Sequence, residues 1–138
     1  EARRVEPTIY GRRLGIASQP VDREDPFIYH KTTRRQVYDQ ALASCPECSD
    51  VILWNQNGEL TETCFGNLVV TLDGKRLTPA LGCGLLPGVF RAWLLQTGQA
   101  QEAVLLRDDL SRCTEIYVVN SVRGWRQAQV MYDAHAYA

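Results

Sequence analysis

Leu60-Thr61-Glu62-Thr63-Cys64-Phe65-Gly66-Asn67, followed downstream by Gly84-Leu85-Leu86-Pro87-Gly88-Val89-Phe90-Arg91, reads as a strand and then a turn that opens a helix. Alternation along a strand places Leu60 and Glu62 on the same face. If Leu60 points inward, so does Glu62, and a buried carboxylate is costly unless it is paired. A protonated ring nitrogen is one such partner. At the turn, a helix starting after Pro87-Gly88 leaves N–H groups without intrahelical acceptors. The helix dipole adds partial positive charge there, and Gly88 lets the backbone approach an anion closely. A phosphate suits that place. A pyridine ring carrying a phosphate needs both features, and pyridoxal 5′-phosphate is such a molecule. Each feature alone has an ordinary reading as well, a solvated strand end for Glu62 and a plain loop entering a helix for the turn.

The rest of the chain reads as short strands interrupted by helices. Residues 8–18 mix β-branched, aromatic and small residues and predict a strand, and the charged, proline-bounded loop Pro20–Pro26 follows it. Thr32 to Ala43 predicts a helix with Val37, Ala41 and Tyr38 on its buried side. Val51–Trp54 reads as a buried strand, and Asn57-Gly58 signals a hairpin because both residues tolerate positive φ. Leu60–Thr63 is the return strand. Asn67–Leu72 is another strand, turned by Asp73-Gly74 into Arg76–Thr78. Phe90–Thr97 has helical composition, with Gly98 as its stop. Strands are expected at Ala103–Leu106, Glu115–Val119 and Ala128–Tyr132, with a short helix or turn over Asp108–Arg112. Helices among hairpins imply a mixed sheet curved towards a barrel.

Composition bounds the function. The chain has 138 residues, 45% of them hydrophobic, and three Trp, which fits one globular domain with a real core. Its net charge of −1 gives no reason to expect nucleic acid or an anionic membrane as a partner. No apolar run approaches the roughly 20 residues of a membrane span. The start, Glu1-Ala2-Arg3-Arg4-Val5-Glu6, resembles neither a signal peptide nor a natural start. Five irregularly spaced cysteines predict reduced thiols in a cytoplasmic protein. Cys45-Pro46-Glu47-Cys48 lacks the second pair that a zinc site wants.

Two further segments carry candidate chemistry. Lys31 lies in Tyr29-His30-Lys31-Thr32-Thr33-Arg34-Arg35, where neighbouring cations favour the neutral amine that Schiff-base chemistry requires. A solvated basic helix start is the plainer reading, and Arg34 and Arg35 meet either acidic substrate groups or water. Asn120-Ser121 ends an apolar strand, where small hydroxyl residues bind ligands or merely cap the next element.

These four segments, in this order, resemble the fold-type IV (class IV aminotransferase-like) pyridoxal phosphate enzymes, over about Tyr29 to Gly124. The contexts Tyr29–Arg34 and Asn120-Ser121-Val122-Arg123-Gly124 are most similar to aminodeoxychorismate lyase, especially the lyase part fused behind a chorismate-binding synthase component. The resemblance implies an α/β fold, the large domain of the D-amino acid aminotransferase-like enzymes. Its mixed sheet is partly closed as a barrel, with flanking helices. It implies Lys31 as the Schiff-base lysine and the acid and base at the substrate Cα. It implies Glu62 at the pyridine nitrogen and Leu86 on a face of the ring. The N–H groups of Val89 and Phe90, with the Ser121 hydroxyl, are implied at the phosphate. Many family members have Thr at the place of Phe90, and some transaminases have Tyr at that of Gln36.

The implied activity is conversion of 4-amino-4-deoxychorismate to 4-aminobenzoate and pyruvate, feeding folate synthesis. The alternatives are a class IV transaminase of branched-chain or D-amino acids, and an inactive assembly or dimerisation domain. Family members are commonly homodimers. They also carry about one hundred residues before the lysine segment, so residues 1–138 are expected to be a single C-terminal cofactor-binding domain with the N-terminal small domain largely absent.

Overall fold

The computed structural model describes residues 13–25 and 30–131, apart from the side chains of Lys31 and Thr33. The expected first strand before residue 13 and Tyr132 of the expected last strand lie outside the described residues. The elements are β1 (Arg13–Ile16), α1 (Lys31–Ala43), β2 (Asp50–Trp54), β3 (Leu60–Thr63), β4 (Asn67–Leu72), β5 (Lys75–Pro79), α2 (Val89–Gln96), β6 (Gln101–Ala103), β7 (Glu115–Asn120) and β8 (Gly124–Val130). Short 3-10 turns cover Leu81–Cys83 and Arg107–Arg112.

The strands form one eight-stranded mixed sheet in the order β3-β2-β1-β8-β7-β4-β5-β6. β1 runs parallel to β2 and β8, and β5 runs parallel to β6. The remaining pairs are antiparallel. The sheet curls until its two edges meet. Leu60 N–H donates to the Leu105 carbonyl at 2.7 Å, and Glu59 bridges Leu106 just past β6. The expected mixed, partly closed sheet is therefore present.

Period-2 alternation sorts the side chains onto two covered faces. Leu68, Val70 and Leu72 of β4 join Ile116, Val118, Leu14 and Ile52 in the inner core. Val69, Tyr117 and Val119 point outward and pack against Leu94 of α2. Val51 and Leu53 point outward against Ala41 of α1, with Val37 and Tyr38 alongside. Burial on both faces explains the continuous apolar runs of β2, β4 and β7. Each fully buried Leu or Val in them contributes about 1.5–3 kcal/mol.

Four expectations are corrected. The strand placed at Ala103–Leu106 lies earlier, at Gln101–Ala103, because Leu105 turns into the inner core and bonds across the closure to Leu60 instead. The last strand starts at Gly124 rather than Ala128, since β8 pairs with β7 from Asn120↔Gly124 onward. At Asn57-Gly58 only the glycine takes positive φ, whereas Asp73 (53°) and Gly74 (78°) both do. Finally, the cysteines are not all reduced. Cys45 and Cys48 form a disulfide, their Cα atoms 5.5 Å apart just beyond the end of α1, while Cys64, Cys83 and Cys113 are free. Gly15 makes room for it, because a Cβ there would sit 2.7 Å from Cys48 Sγ. Among the described residues, no helix is long and apolar enough to cross a membrane.

Candidate functional site

The site lies at one end of the curled sheet, where β3 and β7 finish and β4 and α2 begin. Its geometry starts from an irregularity in β3. In the pairing with β2, Ile52 faces Thr63 and Trp54 faces Leu60, so β3 carries one residue more than its partner. Such a bulge re-aims the side chains beyond it. Leu60 joins the inner core, and Thr63 shares the face of its partner Ile52, also an inner-core residue. Glu62 therefore faces the other way, toward α1, and Cys64 packs there with Val51 and Leu53. Glu62 is buried as expected, but on the opposite face to Leu60, because the bulge interrupts the alternation.

The partners of Glu62 come from α1. Residues 34, 37, 38 and 41 fall at the spacing of one helix face, and the first of these is Arg34 rather than an apolar residue. Arg34 Nη2 lies 2.6 Å from Glu62 Oε2, with both side chains 3% exposed. Tyr38 donates its O–H to the same oxygen at 3.0 Å. Leu86 N–H donates to Oε1 at 3.3 Å. Arg34 also donates to the Gly84 carbonyl at 3.3 Å, tying α1 to the turn before α2. Burial pushes the Glu62 carboxyl up to about 7, against the opposing pull of Arg34, the Tyr38 hydroxyl and the Leu86 N–H. Burial likewise raises Tyr38, helped by the Glu62 charge. Arg34 is thus turned inward to Glu62 and the Gly84 carbonyl at the wall of an adjoining hollow, while Arg35 on the same wall is exposed.

The turn Leu86-Pro87-Gly88 is held at both ends. Its first N–H reaches Glu62, and the Leu86 carbonyl accepts from Asn67 Nδ2 at 3.0 Å. Gly88 leaves the space that Asn67 fills, since a Cβ at position 88 would lie 2.3 Å from Asn67 Oδ1. Beyond it, the first α-helical bond of α2 runs from Ala92 N–H to the Gly88 carbonyl at 3.1 Å. The N–H groups of Val89, Phe90 and Arg91 precede that ladder and carry the positive end of the helix dipole. No acidic residue stands in this first turn to neutralise it.

Across from α2, Asn120 shapes the β7–β8 turn. Its Oδ1 accepts from Val122 N–H at 3.0 Å and Arg123 N–H at 2.8 Å, and its Nδ2 donates to the Phe65 carbonyl at 2.9 Å. This leaves Ser121 exposed at the tip. Glu62, Leu86, Val89, Phe90 and Ser121 all line one cleft of about 270 Å³, together with Tyr38 and Asn67. It adjoins a more open hollow of about 550 Å³, and the two share Tyr38, Cys64, Phe65 and Leu86. Lys31, the remaining candidate, is the first residue of α1, one turn ahead of Arg34, and its side chain lies outside the described residues.

For three residues in or beside the site, the sequence alone does not disclose the role that the fold gives them. Tyr38 was assigned only to packing, although it bonds the carboxylate. Arg34 was assigned to substrate or water, although a cation at a core-stripe position of a helix signals a buried partner. Arg91, at 3% exposure, donates to the Pro79 carbonyl at 3.0 Å and pairs with Glu102, anchoring α2 to β5 and β6. Cys64, which also lines the cleft, is pushed up to about 12 by burial and the Asp50 carboxylate, which favours the protonated thiol.

The amino-transferase class IV family model matches residues 2–130. A relative from Schizosaccharomyces pombe, described as "Putative aminodeoxychorismate lyase", is 33% identical over 118 residues, covering 80% of this chain and 51% of its own length. Among solved structures, the Mesorhizobium loti "Putative amino-acid aminotransferase" superposes with a TM-score of 0.79 at 36% identity, covering 94% of this chain and 65% of that one. The 4-amino-4-deoxychorismate lyase of Pseudomonas aeruginosa shares the fold at a TM-score of 0.73 and 22% identity, covering 87% of this chain and 47% of that one. The chain thus spans about half the length of the lyase relative. With both the family pattern and the curled sheet present, the chain belongs to the class IV amino-transferase family, fold-type IV enzymes that include lyases and transaminases and typically use pyridoxal 5′-phosphate.

Proposed function

We propose that this chain is the cofactor-binding part of a pyridoxal 5′-phosphate-dependent aminodeoxychorismate lyase, converting 4-amino-4-deoxychorismate to 4-aminobenzoate and pyruvate for folate synthesis. The observation that supports cofactor binding is the convergence of Glu62, Leu86, Val89, Phe90 and Ser121 on one cleft. The donor set fits the cofactor. A buried carboxylate stands on the α1 side, and helix-start N–H groups with a serine hydroxyl stand on the other. When bound, the cofactor supplies an electron sink for chemistry at the substrate Cα. Glu62 would hold the ring nitrogen and Leu86 would cover a ring face. The Val89 and Phe90 N–H groups and the Ser121 hydroxyl would hold the phosphate. Lys31 would anchor the cofactor and move the Cα proton. The lyase is preferred over other family activities because of the likeness to the Schizosaccharomyces pombe relative. A second copy of the chain and a chorismate-binding synthase component are the partners this reading expects.

Mixing the purified chain with pyridoxal 5′-phosphate should produce a visible absorbance that Lys31→Ala abolishes. If the wild-type chain shows none, the remaining reading is a folded assembly domain. For the protein that contains this chain, release of 4-aminobenzoate from 4-amino-4-deoxychorismate without a keto acid supports the lyase. The 36% likeness to an aminotransferase favours a class IV transaminase as second reading. A strict requirement for a keto acid acceptor would establish it.

A further inference from the structure

Glu62 is held more tightly than a ring contact alone requires. Oε2 accepts from both Arg34 at 2.6 Å and Tyr38 at 3.0 Å. Among the described residues, Oε1 accepts just the longer 3.3 Å bond from Leu86 N–H. A carboxylate oxygen has two lone pairs, so Oε1 is the oxygen with acceptor capacity to spare on the cleft that Glu62 lines. We propose that Arg34, seconded by Tyr38, is a positioning residue that keeps Glu62 ionised with Oε1 turned to its ligand, and so decides on which atom a proton shared with that ligand resides. The ring half of this proposal rests on the cofactor reading above.

The charge balance around Glu62 supports this role. Among the described residues, Arg34 is the cation bonded to it, whereas Asp50 from β2 raises its proton affinity, as does burial. Tyr38 and Cys64 are themselves pushed toward their neutral forms. For a proton between Glu62 and a pyridine nitrogen, the alternatives are a carboxylate with a pyridinium or a carboxylic acid with a neutral pyridine. Arg34 touches the carboxylate directly, so it stabilises that charge more than it opposes the more distant ring cation, and the proton stays on nitrogen. A purely structural Arg34, holding α1 to the Gly84 carbonyl, would leave the proton's position untouched.

The test uses the 138-residue chain with pyridoxal 5′-phosphate labelled with nitrogen-15 in the ring. The wild-type nitrogen resonance should fall at the pyridinium position. Arg34→Met should move it toward the neutral-pyridine position, Arg34→Lys should restore it in part, and Tyr38→Phe should move it less than Arg34→Met. In the ligand-free chain, the carbon-13 carboxyl resonance of Glu62 should titrate about one to three pH units higher in Arg34→Met, the usual effect of a charge partner at this distance. If Arg34→Met changes neither resonance, the proposal is overturned. Should Arg34→Met fail to fold, an Arg34→Gln chain, which also lacks the charge, with both resonances at the wild-type values overturns it equally. A bound nitrogen that ignores Glu62→Gln refutes the placement of the ring against Glu62. The carboxyl titration then still reports the coupling between Arg34 and Glu62.

Discussion

Replacing Gly88 by alanine tests the joint between the turn and β4. A Cβ at position 88 would lie 2.3 Å from Asn67 Oδ1, and its next contacts, Asn67 Cγ at 3.5 Å and Arg91 Cβ at 4.0 Å, are ordinary. The backbone there, φ −65° and ψ 148°, suits any residue, so the cost is not conformational. Asn67, 5% exposed, has to swing away, and this breaks its 3.0 Å bond to the Leu86 carbonyl. Losing that bond from a buried amide costs about 1–3 kcal/mol. Taking about 2 kcal/mol, and roughly 4 °C per kcal/mol for a chain of this size, the melting temperature should fall by about 8 °C. Asn67→Ala removes the obstructing atom. In that background Gly88→Ala should be neutral or stabilise by up to about 1 kcal/mol, since alanine restricts the unfolded chain. Urea denaturation of the four proteins gives the cycle, with a coupling of about 2 kcal/mol expected. An equal cost in both backgrounds would refute the reasoning.

Two other outcomes follow from buried charges. The folded-state carboxyl of Glu62 sits at about 7, above its ordinary 4.5, so the folded chain binds more protons between those values. Stability from this group is therefore fully present below about pH 4.5 and is lost as pH rises through about 7. Denaturation of wild type and Glu62→Gln at pH 5 and pH 8 should show the stability difference moving against wild type at the higher pH, and a constant difference would count against the raised carboxyl. Arg91→Ala leaves the buried Pro79 carbonyl without the Arg91 donor and Glu102 without its cation, and should cost about 1–3 kcal/mol by chemical denaturation. Glu102→Gln, at a half-exposed position, should cost under about 1 kcal/mol.

Most strands were legible because their information is local. Asn67–Leu72 and Leu60–Thr63 occur with the bounds expected from their apolar and β-branched residues. α1 begins one residue before the expected start, and Gly98 takes φ 75° just past α2, as a helix stop should. Leu105 was misread because an apolar residue looks the same in a strand as in a closure contact. The thiols of Cys45 and Cys48 were misread because composition reports a compartment, whereas the chain beyond α1 brings these two together.

The candidate site divides in the same way. Residue types and order along the chain, the carboxylate at 62, the Pro87-Gly88 helix start and the hydroxyl at 121, were sufficient to name the members of one cleft, since each belongs to a short segment whose form is set by its neighbours. The direction of Glu62 and the identity of its partners were not written there. A one-residue bulge depends on pairing between β2 and β3, and it turns Glu62 from the inner core to α1. An arginine three residues past Lys31 becomes the partner of that carboxylate only when α1 packs over β2. Such relations depend on which strands pair and which helix covers them, and only the folded chain brings those segments together.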